Sequence, residues 1–219
     1  MYNPDSRSDE KNNIILSFSR FEVSGSKKQL ELVRAFSEMC VDYPVQMRGW
    51  KLVLVGGSTP ENMYLEAIRD AVAQAQCPIE LVVNAAVSDI KEYYRVAAVF
   101  WHACGLEEIQ PERVEHFGMT TVEAMQNYCV PVVIDGGGQK EIVEHEYSGY
   151  RFSGLDELKM FSLTLIGDED RRKTMAECAS ERSHLFSKDV FKIKFEKLLT
   201  QVELELVGKE SLPAVAIRT

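Results

Sequence analysis

Apolar and polar positions follow one repeating order along this chain: a short apolar run, a polar turn, then apolar residues spaced three and four apart. The first run covers residues 13–19, and after a polar loop Leu32, Val33, Ala35, Phe36 and Met39 recur at helical spacing over residues 29–39. The same order returns as an apolar run over 51–57 with an amphipathic stretch over 61–75, then as a run over 79–83 followed by a helix over 88–97. Three successive strand-helix units require a parallel sheet. A fourth strand is expected at 98–102, opening into a polar loop over 103–119 before a helix over 120–128. A loop of that length inside a compact domain is usually functional.

A fifth strand over 131–135 ends in Gly136-Gly137-Gly138, a helix starts over 140–145, and Tyr150-Arg151-Phe152 forms a short last strand. From Asp156 onward the pattern is helical, with 168–186 and 188–206 as long segments. The expected fold class is α/β, a Rossmann-like parallel sheet flanked by helices. The polar residues 1–13 form a linker or terminal arm, 14–206 the domain, and 207–219 a flexible tail.

Composition narrows the function. The 219 residues include 25 basic and 34 acidic side chains, for a net charge of −9, and 45% are hydrophobic. Such a chain can bury a substantial core, which excludes disordered and fibrous classes. The acidic balance and the lack of a dense Lys/Arg stripe argue against a nucleic-acid groove or an anionic membrane as the main partner. Any anion must therefore be bound locally. The five cysteines are scattered and never form a C-x2-C pair, which fits a reduced, intracellular protein. No apolar run approaches the roughly 20 residues needed to cross a bilayer and the N-terminus has no apolar signal core, so the expected location is cytoplasmic.

In open parallel sheets ligands bind beyond the carboxyl ends of the strands, so the loops there are the places to search. The first loop carries Arg20, Lys27 and Lys28, either a clamp for a diphosphate or solvated surface charges. Gly56-Gly57 would let a ligand or a neighbouring backbone come close, but no G-x-G-x-x-G follows, which disfavours a redox dinucleotide. The loop before the fourth helix is the strongest feature. Glu115 and Glu123 flank seven residues that cross from loop into helix, and the backbone N–H groups there offer an anion site. Thr120-x-x-Glu123 is also a capping box, so Glu123 either contacts a ligand or closes the helix start.

Taken in order, these residues resemble the retaining nucleotide-sugar glycosyltransferases of family 4, of GT-B fold, in their C-terminal donor-binding domain. The sequence EHFGMTTVEAM is similar to that family's E-x7-E motif, followed by the apolar strand Val130-Pro131-Val132-Val133, the turn Gly136-Gly137, Glu141-Ile142-Val143 and Ser148-Gly149-Tyr150. The resemblance runs from about Ile14 to Leu199. It implies that Arg20 and Lys27 bind the donor diphosphate, with Lys28 as the competing register, and that the amides of Phe117, Gly118, Met119 and Thr120 cover the phosphates. It places Glu123 on the ribose hydroxyls, Glu115 on hydroxyls of the transferred sugar, and the base near Val87. Arg20, Lys27 and Glu115 are then the groups closest to the chemistry. Ser19 before Arg20, and Ala85 in the third loop, stand where the family often has glycine.

The resemblance further implies transfer of a hexose, with retention, from a UDP-sugar of UDP-glucose type, with a GDP-sugar as the other choice. The acceptor would be a glycan or lipid-linked glycan held by an N-terminal domain, in envelope or exopolysaccharide synthesis, with membrane association through that domain. No cofactor or metal is expected, because Arg20, Lys27 and the helix terminus supply the positive field. Asp168-Glu169-Asp170 matches a metal-binding D-x-D, yet it opens a helix where Asp is a favoured cap. His102 ends a strand near the site and either touches the donor or is packed, and no histidine shows metal-ligand spacing. The alternative from another class is a non-catalytic nucleotide or nucleotide-sugar binding module, and an epimerase on the related fold is the third reading.

Overall fold

The computed structural model describes residues 11–210, and side chains through residue 203. They divide into two units, with the boundary between Ser183 and His184. The first unit holds one six-stranded sheet built from β1 (Asn12–Phe18), β2 (Lys51–Gly56), β3 (Ile79–Val83), β4 (Ala97–His102), β5 (Val130–Ile134) and β6 (Tyr150–Phe152). The strand order is β3-β2-β1-β4-β5-β6 and each neighbouring pair is parallel. That order reverses direction between β1 and β4, so a crevice opens where their C-terminal loops part to opposite sides. The Rossmann-like α/β architecture expected from the strand-helix repeat is the one observed.

The side chains of the strands divide between two cores because a strand has a period of two. Ile15, Leu52, Leu54, Val99 and Trp101 point into one layer, with Leu32, Phe36 and Met39 of α1 (Gln29–Asp42) and Leu65 and Ile68 of α2 (Met63–Gln74). Leu158 and Leu165 of α6 (Leu155–Gly167) and Met175 of α7 (Glu169–Ser183) complete that layer. Ile14, Leu16, Val53, Val55 and Phe100 point the other way, onto Tyr94 of α3 (Val87–Val96) and Ala124 of α4 (Met119–Gln126). Burial on both faces explains why the strands are continuous apolar runs rather than alternating ones.

Local signals set the element ends. The Asn62 side chain accepts from the Tyr64 and Leu65 amides at 3.0 and 3.2 Å, capping α2. Asp168 does the same for α7, its Oδ1 accepting from the Arg171 amide at 2.9 Å. Here the first aspartate of the D-x-D sequence acts as a helix cap. β1 begins at Asn12, within the span that polar composition assigns to the arm. Just before it, the Lys11 ammonium donates to the carbonyls of Tyr94 at 3.1 Å and Arg95 at 2.9 Å, and to that of Asn127. These carbonyls sit at the C-terminal ends of α3 and α4, where a cation is favoured, so one side chain ties together the two helices. Residues 1–10 of the expected arm, and 211–219 of the expected tail, lie outside the described residues.

The second unit contains a single turn of 3-10 helix at His184–Phe186 and α8 (Lys188–Glu210), so helix continues past residue 206. Phe191 and Phe195 stack on one another at 5.9 Å between ring centroids, as i,i+4 neighbours do.

Candidate donor-binding site

The site lies on the first unit, at the carboxyl ends of β1 and β4. The chain leaves β1 through Ser19 and Arg20, and the Arg20 guanidinium stands in solvent, held 2.7 Å from Glu22. Two residues in this loop adopt left-handed conformations, Gly25 with φ 68° and Lys28 with φ 59°. The turn at Lys28 sends two adjacent ammonium groups to different carboxylates. Lys27 Nζ lies 3.1 Å from Glu115 Oε2, and Lys28 Nζ lies 2.8 Å from Glu108 Oε1. Lys27, not its neighbour, is therefore the lysine brought to the E-x7-E loop. Gly56 serves a neighbouring backbone rather than a ligand, because a Cβ there would overlap the Ser19 carbonyl oxygen.

Glu115 is the most strongly perturbed carboxylate of the site. His102 Nε2 lies 3.4 Å from the same Oε2 that Lys27 contacts. The imidazole, together with the Lys27 ammonium, outweighs partial burial and holds the Glu115 carboxyl at about 2. Lys27 also reaches Cys104 Sγ at 3.5 Å. Burial pushes the Cys104 thiol up, so it is a neutral neighbour of this charge cluster rather than a thiolate.

The backbone that carries Glu115 rests on the glycine turn after β5. The Gly138 amide donates to the Glu115 carbonyl at 2.8 Å. A Cβ on Gly137 would collide with that carbonyl, and one on Gly138 with the carbonyls of His116 and Phe117. The glycines are thus needed so that two loops can touch, a role that their position after the fifth strand did not reveal. α4 starts at Met119 behind Gly118, whose φ of 101° forms a left-handed cap. Thr120 lies inside the helix, so no capping box forms: the first turn is closed by the backbone, with the Thr121 amide donating to the Gly118 carbonyl at 3.0 Å. The first-turn amides of Met119 and Thr120 have no acceptor within the helix, by its geometry, and face its N-terminal opening.

Glu123 pairs with α3. Its Oε2 accepts a hydrogen bond from the Tyr94 hydroxyl at 3.1 Å. Burial, then the Glu123 charge, raises the Tyr94 hydroxyl well above its ordinary value, so it is a permanent donor to the carboxylate. Glu123, Tyr94 and Val87 line one pocket of about 240 Å³, together with Phe18, Ile90, Lys91, Gln126 and Asn127. The Phe18 and Tyr94 rings meet edge to face at 5.9 Å. The two residues to which the family resemblance assigns base and ribose, far apart in the chain, line one pocket. Lys91 and Gln126 carried no sequence signal, since polar helical residues are ordinary surface positions.

Comparison with known proteins decides the family. A model of the family described as "Glycosyl transferases group 1" matches residues 2–182. The chain belongs to the group 1 glycosyltransferases. It is 26% identical over 195 residues to a "GDP-Man:Man(3)GlcNAc(2)-PP-Dol alpha-1,2-mannosyltransferase" of Dictyostelium discoideum, covering 85% of this chain and 37% of that one. Among solved structures, HepE of Anabaena in complex with UDP-glucose superimposes with a TM-score of 0.71 at 23% identity, covering 87% of this chain and 49% of that one. The C-terminal domain of a group 1 glycosyl transferase (LpcC) from Francisella tularensis gives a TM-score of 0.63 at 20% identity, covering 86% of this chain and 93% of that one. The fold is therefore that of the C-terminal domain of a GT-B glycosyltransferase. This chain spans well under two thirds of the mannosyltransferase and of HepE.

Proposed function

We propose that this chain is the donor-binding half of a glycosyltransferase that moves a hexose from a nucleoside diphosphate sugar to an acceptor with retention. The observation that carries the reading is the pocket shared by Val87 and Glu123, one helix N-terminus away from the Lys27–Glu115 pair. A nucleoside fits that pocket, with its base near Val87 and its ribose hydroxyls donating to Glu123. The diphosphate then spans the amides of Phe117, Gly118, Met119 and Thr120, with Arg20 and Lys27 as its cations. Glu115 accepts from hydroxyls of the sugar.

Departure of the diphosphate is the costly step, and preorganised positive groups where its charge develops are the contribution of this domain. Two cations and a helix N-terminus can neutralise that charge without a bound metal, and Asp168 already serves as a cap. The favoured donor is a UDP-hexose of UDP-glucose type, in keeping with the UDP-glucose complex of HepE. A GDP-sugar is the second choice, favoured by the name of the mannosyltransferase relative. The acceptor is a glycan or a lipid-linked glycan held by a second domain, in envelope or exopolysaccharide assembly on the cytoplasmic side. Peripheral membrane contact would come through that domain.

Calorimetric titration with UDP, UDP-glucose, GDP and GDP-mannose, repeated on Glu123→Ala and Arg20→Ala, tests this reading. One diphosphate series should bind selectively and weaken in both variants. A folded chain that binds none of the four overturns it. Product analysis with a labelled donor, in the presence of the acceptor domain, separates transfer from hydrolysis and from epimerisation, and the anomer formed reports retention.

A further inference from the structure

Two groups converge on one oxygen atom. Lys27 Nζ at 3.1 Å and His102 Nε2 at 3.4 Å both face Glu115 Oε2, with the Cys104 thiol beside Lys27. The side chains of Lys27 and Glu115 are mostly buried, and His102 is 4% exposed, at the end of β4. The Nδ1 atom of His102 is buried and has no hydrogen-bond partner. The nearby cations Lys28 and Arg113 are turned to Glu108 and do not reach Glu115. His102 is thus the second partner of Glu115, at a distance long enough to tighten.

The arrangement has a consequence for any ligand that draws Lys27 away. A half-buried carboxylate that loses its cation is strongly destabilised unless another donor remains. An approaching diphosphate makes this worse, because it adds negative charge near Glu115 while competing for Lys27. We propose that His102 is a positioning residue: it keeps the Glu115 carboxylate paired and in place when Lys27 turns to the donor diphosphate. Its ring Nε2–H donates to Oε2, which leaves the other carboxylate oxygen for a sugar hydroxyl. The inference rests on the donor-site reading above, in which Lys27 binds the diphosphate.

The test compares uridine, which reaches only the pocket of Val87 and Glu123, with UDP, which also engages Lys27. In His102→Phe, UDP affinity should fall about tenfold, the scale of one charge-assisted hydrogen bond, while uridine affinity holds. His102→Gln, which retains a side-chain N–H, should recover most of the loss. In the Glu115→Gln background, where no charge is left behind, His102→Phe should leave UDP affinity unchanged. Equal losses for uridine and UDP, or a UDP loss that persists without the Glu115 charge, overturn the proposal. Should the native chain bind neither ligand, guanosine and GDP take their places; should it bind none of the four, the donor-site reading fails first, and the pairing itself is tested by thermal unfolding. Removal of Lys27 imitates its departure, so His102→Phe should lower the melting temperature more in Lys27→Met than in the native chain. Equal shifts in the two backgrounds overturn the role of His102 as the standby partner.

Discussion

Replacing Glu115 with Gln removes the carboxylate whose proton affinity this fold changes most among the acids of the site. In the folded chain that carboxyl is held at about 2, against an ordinary 4.5, by His102 and Lys27. A tenfold change in proton affinity is worth about 1.4 kcal/mol, so full expression of that difference would be about 3 kcal/mol. The side chain is 21% exposed, and screening by water reduces the figure to about 1–2 kcal/mol. The sign follows from the lowered folded value: the contribution is complete above the unfolded carboxyl range and is lost as pH falls through the folded one. Urea unfolding of native and Glu115→Gln chains from about pH 6 to about pH 3 isolates this group, because the other carboxylates cancel in the difference. The native chain should lose about 1 kcal/mol relative to the variant over that interval. A stability difference that stays constant across it would refute the claim that the two neighbours hold Glu115 as an anion.

Other substitutions test separate parts of the reasoning. Asp168→Ala should cost about 1 kcal/mol through the lost cap, lowering the melting temperature by about 2–4 °C; weakened UDP binding or a new dependence on divalent cations would contradict the cap assignment. Gly138→Ala should destabilise by several kcal/mol, on the order of 3 or more, or displace the Glu115 loop, because the added methyl meets two backbone carbonyls; near-native melting with unchanged UDP affinity would show that the loop contact is not needed. Lys27→Met should weaken UDP about tenfold or more, whereas Lys28→Met, which breaks only the pair with Glu108, should change it little. The reverse order in a titration would transfer the diphosphate role to Lys28.

The parts of this molecule legible in the sequence are those governed by local periodicity. Strands buried on both faces must be apolar throughout, so β1, β2, β4 and β5 stood out as runs, and β3 and β6 were placed within the same repeat. The E-x7-E loop stood out through the order of motifs around it, which resembled the family that the match over residues 2–182 shows. What stayed hidden depends on backbone angles and on pairs distant in sequence. The capping-box reading of Thr120 and Glu123 failed because Gly118, at φ 101°, moved the helix start back to Met119. Which of the two lysines reaches Glu115 turns on a positive φ at Lys28, which no residue type announces. Tyr94 as the partner of Glu123, and Lys11 as the tie between α3 and α4, join residues 29 to 116 positions apart.

The charge arithmetic of the site also reconciles an acidic protein with an anionic ligand. Each of the three cations in the first loop is already matched by a carboxylate: Arg20 by Glu22, Lys27 by Glu115 and Lys28 by Glu108. On the proposed reading, binding a diphosphate here would accordingly be an exchange of partners rather than the filling of a bare positive cleft. Such an exchange favours a ligand that also satisfies the released carboxylates, and a sugar hydroxyl beside the diphosphate does so where inorganic diphosphate cannot. Discrimination for the intact nucleotide sugar would then arise from the same Glu115 that holds Lys27 in the unliganded chain, because each hydroxyl-to-carboxylate bond offsets part of the pairing that the phosphate has broken.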